Sequence, residues 1–295
     1  MVETAFLSNK RNITMLLPTG RYRVSVPSIN IRLTPDINSA LDDQGLFGDD
    51  LEVLKVTEDY AYVHLLCDGK KGWIDSPAAK LVSSAIPLPS RTHRVARPRI
   101  IAFREPSGKS EQSAIFSMNS KLTIRERSGQ GADEFGQVVG LAGGEAVWVR
   151  MNGLMPVQTF FSDFVAVQEM FAGVLYKWGC RDASPGIDCS SLKQQSHLAC
   201  GWEYCPRDTK DQVNDPLFGQ SFDFPSRALG LKRGDAIYFP GHVVTMVDEN
   251  RCIHATDLAP YHCVLVQDLS QVIAERVAAD LGLPTKVRRL LNHGR

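Results

Sequence analysis

The 295-residue chain is predicted to be an α+β protein, with small β-barrels in its first half and a mixed helix-and-sheet domain in its second. Three observations predict this. Residues 21–82 alternate apolar and polar with a period of two, broken by turn residues. After residue 160 the period lengthens to that of a helix, and strands return only later. One thiol, Cys189, is followed by two histidines, His242 and His254, at 53 and 65 residues' distance.

The length predicts two or three modules. Residues 1–20 are set apart as an N-terminal segment. Strands are expected at 22–26, 29–33, 51–56 and 60–65, then a hairpin turn at Asp68-Gly69 and a further strand from Gly72-Trp73-Ile74. About five short strands in roughly 60 residues form a small barrel. Leu46-Phe47-Gly48-Asp49, followed by a Val-rich strand and the Gly72-Trp73 pair, resembles a bacterial SH3-like domain. Its bounds are 21–83. Residues 84–95, with Pro87, Pro89 and several arginines, read as a linker. A second SH3-like barrel is expected over 96–157, with strands at 99–103, 121–125, 137–141 and 146–149 and turns at Gly129, Gly131, Gly143 and Gly144.

Residues 158–295 form the third module. Ser162 is placed as the cap of a helix whose apolar positions are Phe164, Val167, Phe171 and Val174. A second helix spans 190–199 and is closed by Gly201. Strands are expected at 235–239, 242–247, 252–255 and 264–267, a helix at 270–281 and a last strand at 286–291. Helices first and an antiparallel sheet afterwards indicate an α+β domain.

Cys189 lies where a glycine-bearing loop turns into a helix, so unpaired backbone N–H groups are available to a thiolate or to the oxyanion of acyl transfer. His242 opens a strand after Pro240-Gly241. His254 is on the next strand, where it can fix the tautomer of His242. A helix-start thiol, a strand histidine and a neighbouring polar residue make a papain-like arrangement. Cys252, His254, His262 and Cys263 lack a recognised ligand spacing, so neither a metal nor another cofactor is expected.

Residues 172–291 resemble the NlpC-type murein cysteine peptidases. The resemblance rests on Tyr176-Lys177-Trp178-Gly179, Gly186-Ile187-Asp188-Cys189-Ser190, Pro206-Arg207-Asp208, Arg233-Gly234-Asp235, Gly241-His242-Val243 and Ile253-His254-Ala255. It implies Cys189 as nucleophile, His242 as base and His254 as its orienter. It also implies that Tyr176 helps to form the oxyanion hole and that Asp188 and Ser190 hold the substrate's ammonium group. With an SH3-like module ahead, the chain is similar to γ-D-glutamyl-L-diamino acid endopeptidases of murein recycling. These cut freed stem peptides bearing an unblocked N-terminal L-alanine. The chain departs from that pattern at Cys180, Ser191, Val244 and the Lys70-Lys71 turn. An amidase or acyltransferase on another substrate, or a non-catalytic wall-binding protein, are the alternatives.

Charge excludes other partners. Lys and Arg number 33 and Asp and Glu 33, so neither a nucleic acid nor an anionic membrane is expected as partner. No apolar run reaches the roughly 18 residues of a membrane span, and residues 13–18 do not make a secretory signal. Seven cysteines, an odd number, suit reduced thiols in the cytoplasm. The sequence does not assign an oligomeric state.

Overall fold

The computed structural model describes residues 17–85, 87–224 and 230–290. Residues 1–16, most of the N-terminal segment, lie outside the described residues.

The first sheet contains β1 (Gly20–Val24), β2 (Ser28–Arg32), β3 (Leu41–Leu46), β4 (Asp50–Val56), β5 (Tyr60–Leu65), β6 (Lys71–Asp75) and β7 (Leu81–Ser83), with one helical turn, α1 (Pro77–Lys80), before β7. Its order is β3-β2-β6-β5-β4-β1-β7. The alternation read from the sequence is that of the burial. Val24, Ile29, Ile31, Leu51, Val53, Ala61, Val63, Leu65 and Ile74 point inward and form one apolar cluster.

The second sheet contains β8 (His93–Val95), β9 (Arg99–Phe103), β10 (Gln112–Ser117), β11 (Lys121–Ser128), β12 (Phe135–Val139), β13 (Val147–Arg150) and β14 (Leu154–Pro156). Its order, β10-β9-β13-β12-β11-β8-β14, repeats the first strand for strand. The stretch expected to be linker to residue 95 is therefore too long. His93–Val95 is already a strand, paired with both β11 and β14.

The third part packs helices against a sheet. Its helices are α2 (Phe164–Glu169), α3 (Cys189–Ala199), α4 (Thr209–Gln212) and α5 (Leu269–Ala278). Its strands are β15 (Gln220–Asp223), β16 (Ala236–Phe239), β17 (His242–Met246), β18 (Arg251–Ala255), β19 (Val264–Asp268) and β20 (Lys286–Arg289). The sheet order is β15-β20-β16-β17-β18-β19, with every pairing antiparallel. The fold is α+β, as the element order predicts. Asp163, not Ser162, caps α2, accepting from the N–H groups of Val165 and Ala166 at 2.8 and 3.1 Å.

Helix α3 is buried on nearly every side although it is polar: Lys193, Gln194, Gln195, Ser196 and His197 are all enclosed. The two barrels cover it, and its polar groups bond across to them. Gln194 donates to Asp68 of the first barrel at 3.1 Å, and Asn119 of the second donates to the Gln195 carbonyl at 2.9 Å. The helix carrying Cys189 is thus held by three modules at once.

Candidate active site

Cys189 is the first residue of α3, and Asp188 is the N-cap. The Asp188 carboxylate accepts the Ser191 N–H at 2.8 Å, which fixes the first turn. Two glycines bring the preceding chain into place. Gly186, at φ 145°, passes so close to residues 175–177 that a Cβ would meet the Leu175 carbonyl at 2.8 Å. Gly179, at φ 74°, lies against the Leu41 carbonyl of β3, 2.7 Å from where a Cβ would stand. Position 180 adopts no positive φ, so cysteine is tolerated there.

The strand pairing assembles the histidines. Thr245 faces Ile253 across β17 and β18. Extending that register by one pair sets Val244 opposite His254, and His242 lies on the face of Val244. His242 Nε2 is 2.9 Å from His254 Nδ1. His254 Nε2 is 2.8 Å from Gln267 Oε1 on β19. Gln267 sits opposite Cys252, the same-face neighbour of His254. The Gln267 amide is oriented by Glu275, whose carboxylate takes its Nε2 at 3.3 and 3.4 Å.

This chain of contacts fixes the protons. An amide oxygen only accepts, so His254 Nε2 carries the proton and His254 Nδ1 accepts. His242 Nε2 is then the donor, which leaves His242 Nδ1 unprotonated. The N–H of Val243, the next residue, is turned to the Cys189 sulfur, as is that of Ser190. The strand bearing His242 therefore begins at the thiol.

All three groups are buried: Cys189 is 6% exposed, His242 5% and His254 3%. Burial pushes the Cys189 thiol up to about 12, and Asp188 raises it further against the opposing Val243 N–H, Arg207 and Ser190 N–H. Burial holds His242 well below the usual imidazole range, helped by His254 and Arg276. Burial also lowers His254 to about 4. The helix start does not by itself hold a resting thiolate, because the loss of water outweighs it. Burial thus favours the neutral form of both the Cys189 thiol and the His242 imidazole.

Asp188, expected to hold a substrate ammonium, lines the cleft but is also bound by the protein's own donors. Five donors reach its carboxylate: the N–H groups of Gly179 and Ser191, the Ser190 hydroxyl and both arms of Arg207. A carboxylate offers about four lone-pair sites, so none remains. Ser190 donates to Asp188 at 3.1 Å and accepts from Arg207 at 2.8 Å. Tyr176 is half-buried. Burial, then Cys189 and Asp188, raise its phenol, so it stays a protonated donor near the thiol.

A cleft of about 570 Å³ opens over Cys189, bounded by Trp178, Asp188, Ser190, Arg207 and Tyr238. Its wall also includes Asp208 and, from the first barrel, Asp42. Lys70 bridges these two carboxylates at 3.0 Å each. Sequence reasoning missed Gln267, Asp42 and the clamping role of Arg207. Gln267 had one legible signal, its place on the strand expected next to that of His254. Asp42 had none, because its strand does not alternate.

Comparison with known proteins gives matches in two regions. Residues 31–78 match the bacterial dipeptidyl-peptidase SH3 domain, and residues 173–277 match the NlpC/P60 family. The chain is 24% identical over 269 residues to dipeptidyl-peptidase 6 of Lysinibacillus sphaericus, covering 83% of this chain and 94% of that protein. Its fold is similar to that of an NlpC/P60 family protein from Bacillus cereus ATCC 10987, with a TM-score of 0.71 at 19% identity over 92% of this chain and 100% of the other. The protein thus carries a bacterial dipeptidyl-peptidase SH3 domain followed by an NlpC/P60 family domain of α+β fold.

Proposed function

We propose that the protein is a cysteine endopeptidase that hydrolyses the γ-D-glutamyl-L-diamino acid bond of short cell-wall stem peptides with a free N-terminal L-alanine. Members of the NlpC/P60 family are cysteine peptidases and hydrolases. The observation that carries the finer reading is the hydrogen-bonded series Gln267–His254–His242, which leaves one imidazole nitrogen free at the strand that meets a helix-start thiol.

In this reading His242 Nδ1 takes the Cys189 proton as sulfur attacks the γ-carbonyl. The Cys189 N–H, which has no carbonyl partner within α3, and the Tyr176 hydroxyl receive the oxyanion. The imidazolium then protonates the amine of the departing diamino acid. Water, deprotonated by the same His242, attacks the thioester and releases L-Ala-D-Glu with the thiol restored.

Asp188 being occupied, the substrate ammonium is assigned to Asp42 and Asp208. Lys70 bridges the two carboxylates and Lys210 stands 3.9 Å from Asp208, so what the cluster offers one ammonium group is carboxylate oxygens as acceptors rather than a net negative charge. Seven unpaired cysteines support action in a reducing compartment, the cytoplasm, as in murein recycling.

The test is incubation with L-Ala-γ-D-Glu-diaminopimelate and its N-acetyl analogue, with mass spectrometry of the products. Release of L-Ala-D-Glu and diaminopimelate from the free-amine peptide, lost in Cys189→Ala, is expected. No turnover by the parent protein, or equal turnover in Cys189→Ala, overturns the reading.

A further inference from the structure

Strand β3 of the first barrel lies along the nucleophile loop, and its three polar residues do separate work. Ile31 pairs with Asp43 and Arg32 with Leu41, so Asp42 is the extra residue of a β-bulge. Asp42 faces the cleft. Gln44 accepts the backbone N–H groups of Arg181 and Asp182, both at 3.0 Å. Asp43 is fully buried and accepts Arg207 Nε at 2.6 Å.

The rest of the Arg207 guanidinium reaches the first turn of α3. One arm donates to Asp188 Oδ1 at 3.1 Å and to Ser190 Oγ at 2.8 Å, and the other to Asp188 Oδ2 at 2.6 Å. Residues 188 and 190 flank Cys189. A guanidinium is planar, so fixing its Nε edge fixes the direction of the whole fork. We infer that Asp43, on the first barrel, is a positioning residue for catalysis: it sets the plane of Arg207, and through it the first turn of the nucleophile helix. The inference rests on Cys189 being the nucleophile.

What Arg207 needs from Asp43 is an acceptor oxygen rather than a full charge. Asp43 Oδ2 has no donor among the described residues and stands near Asp68, with Arg181 3.9 Å away. Burial and Asp68 push the Asp43 carboxyl upward, against Arg207 and Arg181. An asparagine fits the same place, its oxygen toward Arg207 and its NH2 toward Asp68.

The experiment compares the full-length parent, Asp43→Ala and Asp43→Asn in two readouts. One is the rate at which iodoacetamide alkylates Cys189 across pH, with the modified residue located by mass spectrometry. The other is kcat and KM on L-Ala-γ-D-Glu-diaminopimelate. Asp43→Ala is expected to slow alkylation and lower kcat by about tenfold or more with KM within about threefold. Asp43→Asn is expected to recover most of the loss. Parent-like alkylation and kcat in Asp43→Ala, or an equal loss in both variants, overturns the inference. If Asp43→Ala does not fold, Arg207→Lys decides, since it keeps the charge and lacks the fork: lost thiol reactivity in the folded variant is expected, and parent-like reactivity overturns. Alkylation needs no substrate, so failure of the proposed peptidase reaction alone shows as absent turnover with alkylation still sensitive to Asp43.

Discussion

Gln267 Oε1 accepts the Nε2–H of His254 at 2.8 Å, and this one contact determines which nitrogen of His242 is free. Glu275 holds the Gln267 amide in that orientation. Glu275 of α5 thus reaches His242 through Gln267 and His254 in series, and none of these last three side chains needs a formal charge. That suits side chains as buried as His242, His254 and Gln267, where an ion pair is costly to form at rest.

Gln267→Leu keeps the volume roughly and removes the acceptor. His254 can then adopt either tautomer, and His242 Nδ1 is no longer held free. A fall in kcat of about tenfold or more, with KM within about threefold, is expected from steady-state kinetics on the tripeptide. An unchanged kcat would show that the third residue needs no orienter.

His254 is lowered to about 4 from 6.5 by burial. A depressed folded value means that its contribution is intact above 6.5 and is lost as pH falls toward 4, because the unfolded chain takes up the proton first. The full loss is on the order of 3 kcal/mol. Asp43, raised by burial from 3.8 to about 8, acts in the opposite sense across the whole of this range. Comparing the parent with His254→Gln isolates the histidine. Urea denaturation at pH 7 and pH 4.5 should show a smaller acid loss in the variant; equal losses would exclude His254 as the source.

Some of this was readable in the sequence and some was not, for definable reasons. The thiol and both histidines stand inside short motifs whose local geometry, a helix start and two strand faces, follows from flanking residues. The barrel strands were legible wherever one face is apolar, as in Ile29 and Ile31 or Val53 and Val63. Strand β3 was not. Its Asp42, Asp43 and Gln44 are polar in succession because Asp42 faces the cleft beside Lys70, while Asp43 and Gln44 meet Arg207 and Arg181 of the third module. Helix α3 misled in the same way, since polar residues that bond across modules look like a solvated face. Asp188 matched a motif, but Arg207 decides its role, and a charge partner 19 residues away leaves no periodic trace.

The assignment of the ammonium to Asp42 and Asp208 has a kinetic consequence. Asp42→Asn removes one of the two carboxylates to which the ammonium is assigned. KM for the free-amine tripeptide should rise about tenfold, in line with about 1.4 kcal/mol for a charge-assisted contact. The N-acetyl analogue, which lacks the N-terminal ammonium, should be unaffected. An equal change for both peptides would place the amine elsewhere.

Lys193 supplies a separate test, inside α3 but away from the thiol. It is 2% exposed, with its Nζ 4.6 Å from the Phe218 ring centroid and 5.5 Å from that of Phe164. Burial lowers it to about 7 from 10.5, against a small upward pull from Cys205. A depressed lysine contributes fully above 10.5 and loses that contribution as pH falls toward 7, and the whole change corresponds to roughly 5 kcal/mol. The two ring contacts return about 0.5–2 kcal/mol each once the amine is charged. Desolvation therefore wins by a small margin. Lys193→Met, close in volume and without charge, should be about 1–3 kcal/mol more stable than the parent at pH 7, with the gain shrinking as pH rises toward 10. Denaturation curves at pH 7, 8.5 and 10 measure it. A difference that stays flat across that range would mean the amine finds compensation that its aromatic surroundings alone do not provide.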